Sequence, residues 1–85
     1  RLFFFFLRFE VIDKPSVLSN ITNVFSKYKV SIKRLVQKPD KSKKSSSIII
    51  ISHDAKDQHL KKITKEISKK NYIKQKPKLI RIDNN

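Results

Sequence analysis

No cysteine occurs among the 85 residues, so disulfides and Cys-ligated metal centres are excluded. That absence fits a reducing compartment, and a cytoplasmic location is expected. Glycine is missing as well, so every turn must be built from Asn, Asp, Ser, Lys or Pro. Methionine is also absent and the chain begins at Arg1, which leads to the expectation of a fragment of a longer protein. The apolar run at residues 2–7 is far shorter than the roughly 20 residues a membrane-spanning helix needs. Arg8, Glu10 and Asp13 follow it with no small-residue cleavage site, so it does not read as a signal peptide. Acidic residues are scarce: 7 Asp plus Glu stand against 21 Lys plus Arg, a formal charge of +14.

The apolar residues present are arranged in two periods. Residues 3–12 read as a strand, with Leu7, Phe9 and Val11 on one face and Phe4, Phe6, Arg8 and Glu10 on the other. Pro15 suits the first position of a helix, where its missing N–H has no partner to lose. Val17, Leu18, Ile21, Val24, Phe25 and Tyr28 then recur on one stripe, predicting a helix over 15–29. Residues 30–37 read as a second strand. The Lys- and Ser-rich stretch 38–47 reads as a mobile hairpin loop. The four consecutive isoleucines at 48–51 predict a third strand buried on both faces. Asp54 is placed to cap a second helix, whose stripe is Leu60, Ile63 and Ile67, with Asn71 as its stop. Within that helix, Glu66 is expected to pair with Lys62 or Lys70. A last strand centres on residues 79–82, after Pro77, with an earlier extended piece at 72–73.

The resulting order, β-α-β-β-α-β, is an α+β ferredoxin-like fold: a four-stranded antiparallel sheet with two helices on one face. Its first and third strands belong at the centre, and these are the most apolar. The other sheet face is left open, with Phe4, Phe6 and part of the isoleucine run on it. An exposed apolar patch of this kind marks an interface, either between copies or with a parent enzyme.

The turn Asp13-Lys14-Pro15-Ser16-Val17-Leu18, between a strand and a helix that carries Ile21, resembles the ACT-domain signature. Val30-Ser31-Ile32, Leu35-Val36-Gln37-Lys38, Ser52-His53-Asp54-Ala55 and Lys76-Pro77-Lys78-Leu79-Ile80-Arg81-Ile82 resemble the C-terminal domain of homoserine dehydrogenases. The resemblance spans nearly the whole chain and implies a single regulatory domain, residues 1–85, with no catalytic residue of its own. It implies a parent enzyme that reduces aspartate semialdehyde with NAD(P), the cofactor residing in domains outside these residues. It also implies pairing into a homodimer or higher oligomer, and binding of a small amino acid, for which L-threonine is the first candidate.

The residues themselves support such a site. A helix N-terminus offers free N–H groups and a positive dipole end, which suits a carboxylate. The donors are expected from Ser16, Val17 and Leu18, and Asp13 can accept from an ammonium group. The family pattern places Ser31 of a neighbouring copy at the pocket, with Gln37 as a further polar candidate. Ser16 stands where the family carries Gly, so its side chain either narrows the pocket or contributes a hydrogen bond. Two other readings stay open: a pairing module whose ligand site has decayed, and a basic nucleic-acid binder. Against the last, the third strand carries no aromatic or glycine to stack a base, and only four of the basic residues are Arg. A lysine, isoleucine and asparagine bias of this kind fits drift toward A- and T-rich codons. His53 and His59 lack the i, i+4 spacing of a helical metal pair, so no metal site is expected.

Overall fold

The computed structural model describes residues 3–82. Six elements follow one another: β1 (Phe4–Ile12), α1 (Pro15–Lys27), β2 (Ser31–Asp40), β3 (Ser45–His53), α2 (Asp57–Ser68) and β4 (Lys78–Ile82). The strands form one sheet in the order β2-β3-β1-β4, with all three pairings antiparallel. This is the ferredoxin-like arrangement, with the two most apolar strands at its centre.

Alternation along β1 decides which face is covered. Phe5, Leu7, Phe9 and Val11 are each no more than 1% exposed. They join Ile48 and Ile50 of β3 and the stripes of both helices, Val17, Ile21, Val24 and Phe25 with Leu60, Ile63 and Ile67, in one core. Phe9 and Phe25 meet edge to face at 6.5 Å between ring centres, a favoured aromatic geometry.

Only one face of the isoleucine run is buried. Ile48 and Ile50 lie beneath the helices, whereas Ile49 and Ile51 are half-buried on the open face. There Ile51 pairs across β1 with Phe6, and Phe6 with Ile80 of β4. Ile80 and Ile82 remain 48% and 38% exposed, so the chain leaves a strip of apolar sheet uncovered.

Without glycine, the left-handed backbone positions fall to Lys29, Lys44 and Asp54, with φ of 57°, 51° and 47°. α1 ends at Lys27, two residues before the expected limit, and the left-handed Lys29 closes it. The Lys29 N–H donates to the Ser26 carbonyl and the Val30 N–H to the Phe25 carbonyl, both at 3.0 Å. That pair of bonds is the Schellman ending, whose left-handed residue is usually Gly. A side chain there costs about 1 to 3 kcal/mol of backbone strain, partly offset because Gly is freer in the unfolded chain. Lys29→Gly is therefore expected to stabilise the domain by about 0.5 to 1 kcal/mol. A urea midpoint no higher than that of Lys29→Ala would contradict this.

The stretch expected to be a mobile loop is mostly strand. β2 runs on to Asp40 and β3 starts at Ser45, so the hairpin tip shrinks to residues 41–44. The serines are held because Ser45, Ser46 and Ser47 pair with Ile12, Val11 and Glu10 of β1. At the tip, Asp40 accepts hydrogen bonds from the Ser42 N–H and hydroxyl at 3.1 and 2.7 Å. Pro39 is tolerated because β2 is an edge strand.

Asp54 does not cap α2. Its left-handed backbone turns the chain so that Ala55 bridges to Phe3, and the helix begins only at Asp57, after Lys56. Glu66 also departs from expectation: it reaches across to α1 rather than along its own helix. The Lys27 ammonium and the Tyr28 hydroxyl both donate to its Oε1, at 3.0 and 2.8 Å. These donors hold the Glu66 carboxyl below the usual carboxylate range.

Candidate ligand-binding site

The sequence places its candidate site at the junction of β1 and α1. There the Ile12 N–H donates to the Tyr72 carbonyl at 2.9 Å, and the Asp13 N–H to the Lys44 carbonyl at 3.1 Å. The strand end is thus tied to the turn after α2 on one side and to the β2–β3 hairpin on the other. Pro15 opens α1, and no side chain caps it. Beside this helix end lies a hollow of about 270 Å³ lined by Ile12, Lys14, Ser16, Val17, Asn71 and Tyr72. That is near the small end of ligand clefts, which run from about 300 to 1,000 Å³.

The lining fits an anionic group. Lys14 adds a full positive charge to the positive end of the α1 dipole. Ser16 brings a hydroxyl and Asn71 an amide, each able to donate or accept. Tyr72 is only 9% exposed, and its hydroxyl donates to Asn20 Oδ1. Burial first, and the charge of Glu66 second, push its phenol up to about 12, so it stays neutral.

The six candidates divide. Ser16 and Val17 line the hollow together. The Val17 N–H, however, is already bonded to the Lys14 carbonyl at 3.1 Å, so that expected donor is engaged within the turn. Asp13 is exposed and does not line the hollow, and Leu18 is half-buried against the core. Ser31 and Gln37 lie on the edge strand β2, both exposed. Ser31 pairs with His53, at the opposite end of β3 from the Ser45 that pairs with Ile12. Gln37 pairs with Ile48. Within one chain neither is among the residues lining the hollow.

Lys14, Asn71 and Tyr72 escaped the sequence reading. Lys14 was visible in the motif, but Asn71 and Tyr72 read as a helix stop and an extended piece. Their place beside α1 follows from the Val11–Ile73 bridge, a long-range pairing with no local signal.

His53 stacks on Phe4 at 5.5 Å and its Nε2 lies 3.2 Å from Asp54 Oδ2. Among the described residues no group of three His, Cys, Asp or Glu side chains is placed to hold a metal ion. Nor is any helix among them long and apolar enough to cross a membrane.

Comparison with known proteins agrees with this architecture. A homoserine dehydrogenase from Methylobacillus glycogenes is 34% identical over 50 residues, covering 58% of this chain and 12% of that protein. The crystal structure of a homoserine dehydrogenase from Thiobacillus denitrificans superposes with a TM-score of 0.85 at 23% identity, covering 99% of this chain and 18% of the other. The chain thus spans less than a fifth of the length of either enzyme. The ACT domain of a GTP pyrophosphokinase from Chlorobium tepidum superposes with a TM-score of 0.77 at 16% identity, covering 94% and 100% of the two chains. The family model of the ACT domain matches residues 5–71, which take in the core except Tyr72, the β1–α1 junction and Asn71, and the chain belongs to the ACT domain family.

Proposed function

We propose that this chain is the amino-acid-sensing and pairing module of a homoserine dehydrogenase. The observation that carries the reading is the hollow at the β1–α1 junction, where Lys14, Ser16 and a helix N-terminus converge in an ACT domain. A small zwitterion suits it: the carboxylate meets Lys14 and the helix dipole, and the ammonium group meets the Asn71 side-chain carbonyl. Ser31 and Gln37 complete the pocket from the edge strand of a second copy, so binding and pairing favour each other. L-threonine is the candidate ligand. Reduction of aspartate semialdehyde with NAD(P) is the work of the parent enzyme in the cytoplasm, with cofactor and catalytic residues outside this chain. A ligand that prefers one arrangement of the pair shifts its population, and so reaches a distant active site.

The uncovered apolar strip with Phe6, Ile80 and Ile82 supports a second contact, between copies or with the parent enzyme. Ser16 favours one rival reading, a module that pairs without sensing, because its side chain occupies space that Gly leaves to the ligand.

Thermal unfolding with L-threonine, and with isoleucine, serine and lysine as controls, separates the two. At tenfold over its dissociation constant, a ligand of the folded state adds about 1.4 kcal/mol, so the midpoint should rise with threonine alone. Ser16→Phe should abolish that rise while leaving the ligand-free midpoint close to unchanged, since Ser16 is exposed. A midpoint indifferent to all four amino acids would leave pairing as the role.

A further inference from the structure

The open face of the sheet has two halves of opposite character. Toward Phe4, Phe6, Ile80 and Ile82 it is apolar. Toward the β2–β3 hairpin it is polar, and two adjoining hollows of about 280 and 220 Å³ lie there, sharing Arg8, Glu10 and Gln75. Neither the amino-acid hollow nor the apolar strip contributes a residue to this groove.

Its charge comes from three separate parts of the chain: Arg8 from β1, Lys43 from the hairpin tip, and Lys74, Lys76 and Lys78 from the approach to β4 and its first residue. Two hydrogen bonds bring them together. The Lys74 N–H donates to the Glu10 carbonyl at 2.8 Å, and the Lys74 ammonium to the Lys43 carbonyl at 3.5 Å. Against five cations the groove holds two carboxylates, Glu10 and Asp40.

Both carboxylates are already engaged. Glu10 Oε1 accepts from the Ser47 hydroxyl at 2.6 Å and Oε2 from Arg8 Nε at 2.7 Å. Asp40 is taken up by Ser42. Partial burial alone would raise the Glu10 carboxyl, but Ser47 and Arg8 outweigh it and keep the group ionised. Glu10 therefore acts as an anchor: it holds the Arg8 guanidinium, a lining group of both hollows, through one of its five N–H donors.

We propose that this groove binds a small polyanion of the phosphate class. Multiple point-charge ammonium groups around one Arg fork match a multiply charged phosphate better than a single carboxylate. A concave site also holds its lysines around a ligand in a way that scattered surface lysines such as Lys62 and Lys69, which line neither hollow, do not.

The test is isothermal titration with inorganic pyrophosphate at 150 mM salt, where exposed charges are screened beyond about 8 Å. Saturable one-to-one binding is expected. The double variant Lys74→Ala/Lys76→Ala should weaken it at least tenfold. Lys62→Ala/Lys69→Ala, which removes the same charge from lysines that line neither hollow, should change it less than twofold. All four lysines are exposed, so neither variant threatens folding. No saturation, or an equal loss in both variants, would overturn the proposal. Equal loss would show a response to net charge alone. Ser16→Phe should leave pyrophosphate binding intact, so failure of the amino-acid reading and failure of this one are distinguishable.

Discussion

Phe9→Ala should cost about 3 to 5 kcal/mol, the range found when a buried aromatic is cut back to a methyl. Phe9 is wholly buried in a central strand and faces Phe25 edge to face, so the deletion removes an aromatic contact between β1 and α1. Domains of this size have only about 5 to 15 kcal/mol in total. The core here is one layer deep, with helices on a single face; the sequence has no cysteine for a disulfide, and among the described residues no group of three His, Cys, Asp or Glu side chains is placed to hold a metal ion. Urea unfolding followed by circular dichroism should therefore show the variant close to its transition before denaturant is added. Phe9→Leu keeps most of the volume and should lose less than about 1.5 kcal/mol. Equal midpoints for the two variants would mean that the ring is not packed as described.

Two serines of β3 should respond to the same substitution with opposite signs. Ser52 is fully buried, and its Oγ accepts the Phe5 N–H at 3.0 Å. Ser52→Ala strands that N–H in the core, which costs about 1 to 3 kcal/mol. Ser46 is 1% exposed, and its hydroxyl has no hydrogen-bond partner among the described residues. Ser46→Ala removes a buried polar group that gains nothing, and should stabilise by about 1 kcal/mol. The contrast controls for the loss of one oxygen atom from one strand. Matching losses in both variants would show that Ser46 has a partner in solution.

These two serines also mark the limit of sequence reading. Both alternate in step with Ile48 and Ile50, so their inward direction follows from period two alone. Composition nonetheless places Ser46 in a loop, because serine and lysine around Pro39 look like a connection. What makes that stretch a strand is its pairing with β1 thirty-odd positions away, which composition does not encode. The strand order, by contrast, follows from the apolar content of β1 and β3, and the start of α1 from Pro15. Asp54 misled because a good capping residue was present but was used for a left-handed turn. Glycine normally announces such turns, and this chain has none. At the candidate site, Ser16 and Val17 were legible because they belong to a local motif. Asn71 and Tyr72 were not, since they arrive there through tertiary pairing.

Residues 71–75 touch both hollows. Asn71 and Tyr72 line the one beside α1, whereas Lys74 and Gln75 line the basic groove. Two backbone bonds, from Ile12 to Tyr72 and from Lys74 to Glu10, fasten the segment to the same end of β1. A guest in either hollow therefore acts on one five-residue tether. If an amino acid draws that tether toward α1 and so weakens a phosphate, the phosphate must weaken the amino acid by the same factor, because exchange of free energy between two sites is symmetrical. The domain would then compare two solutes rather than report one, and its output would follow their ratio.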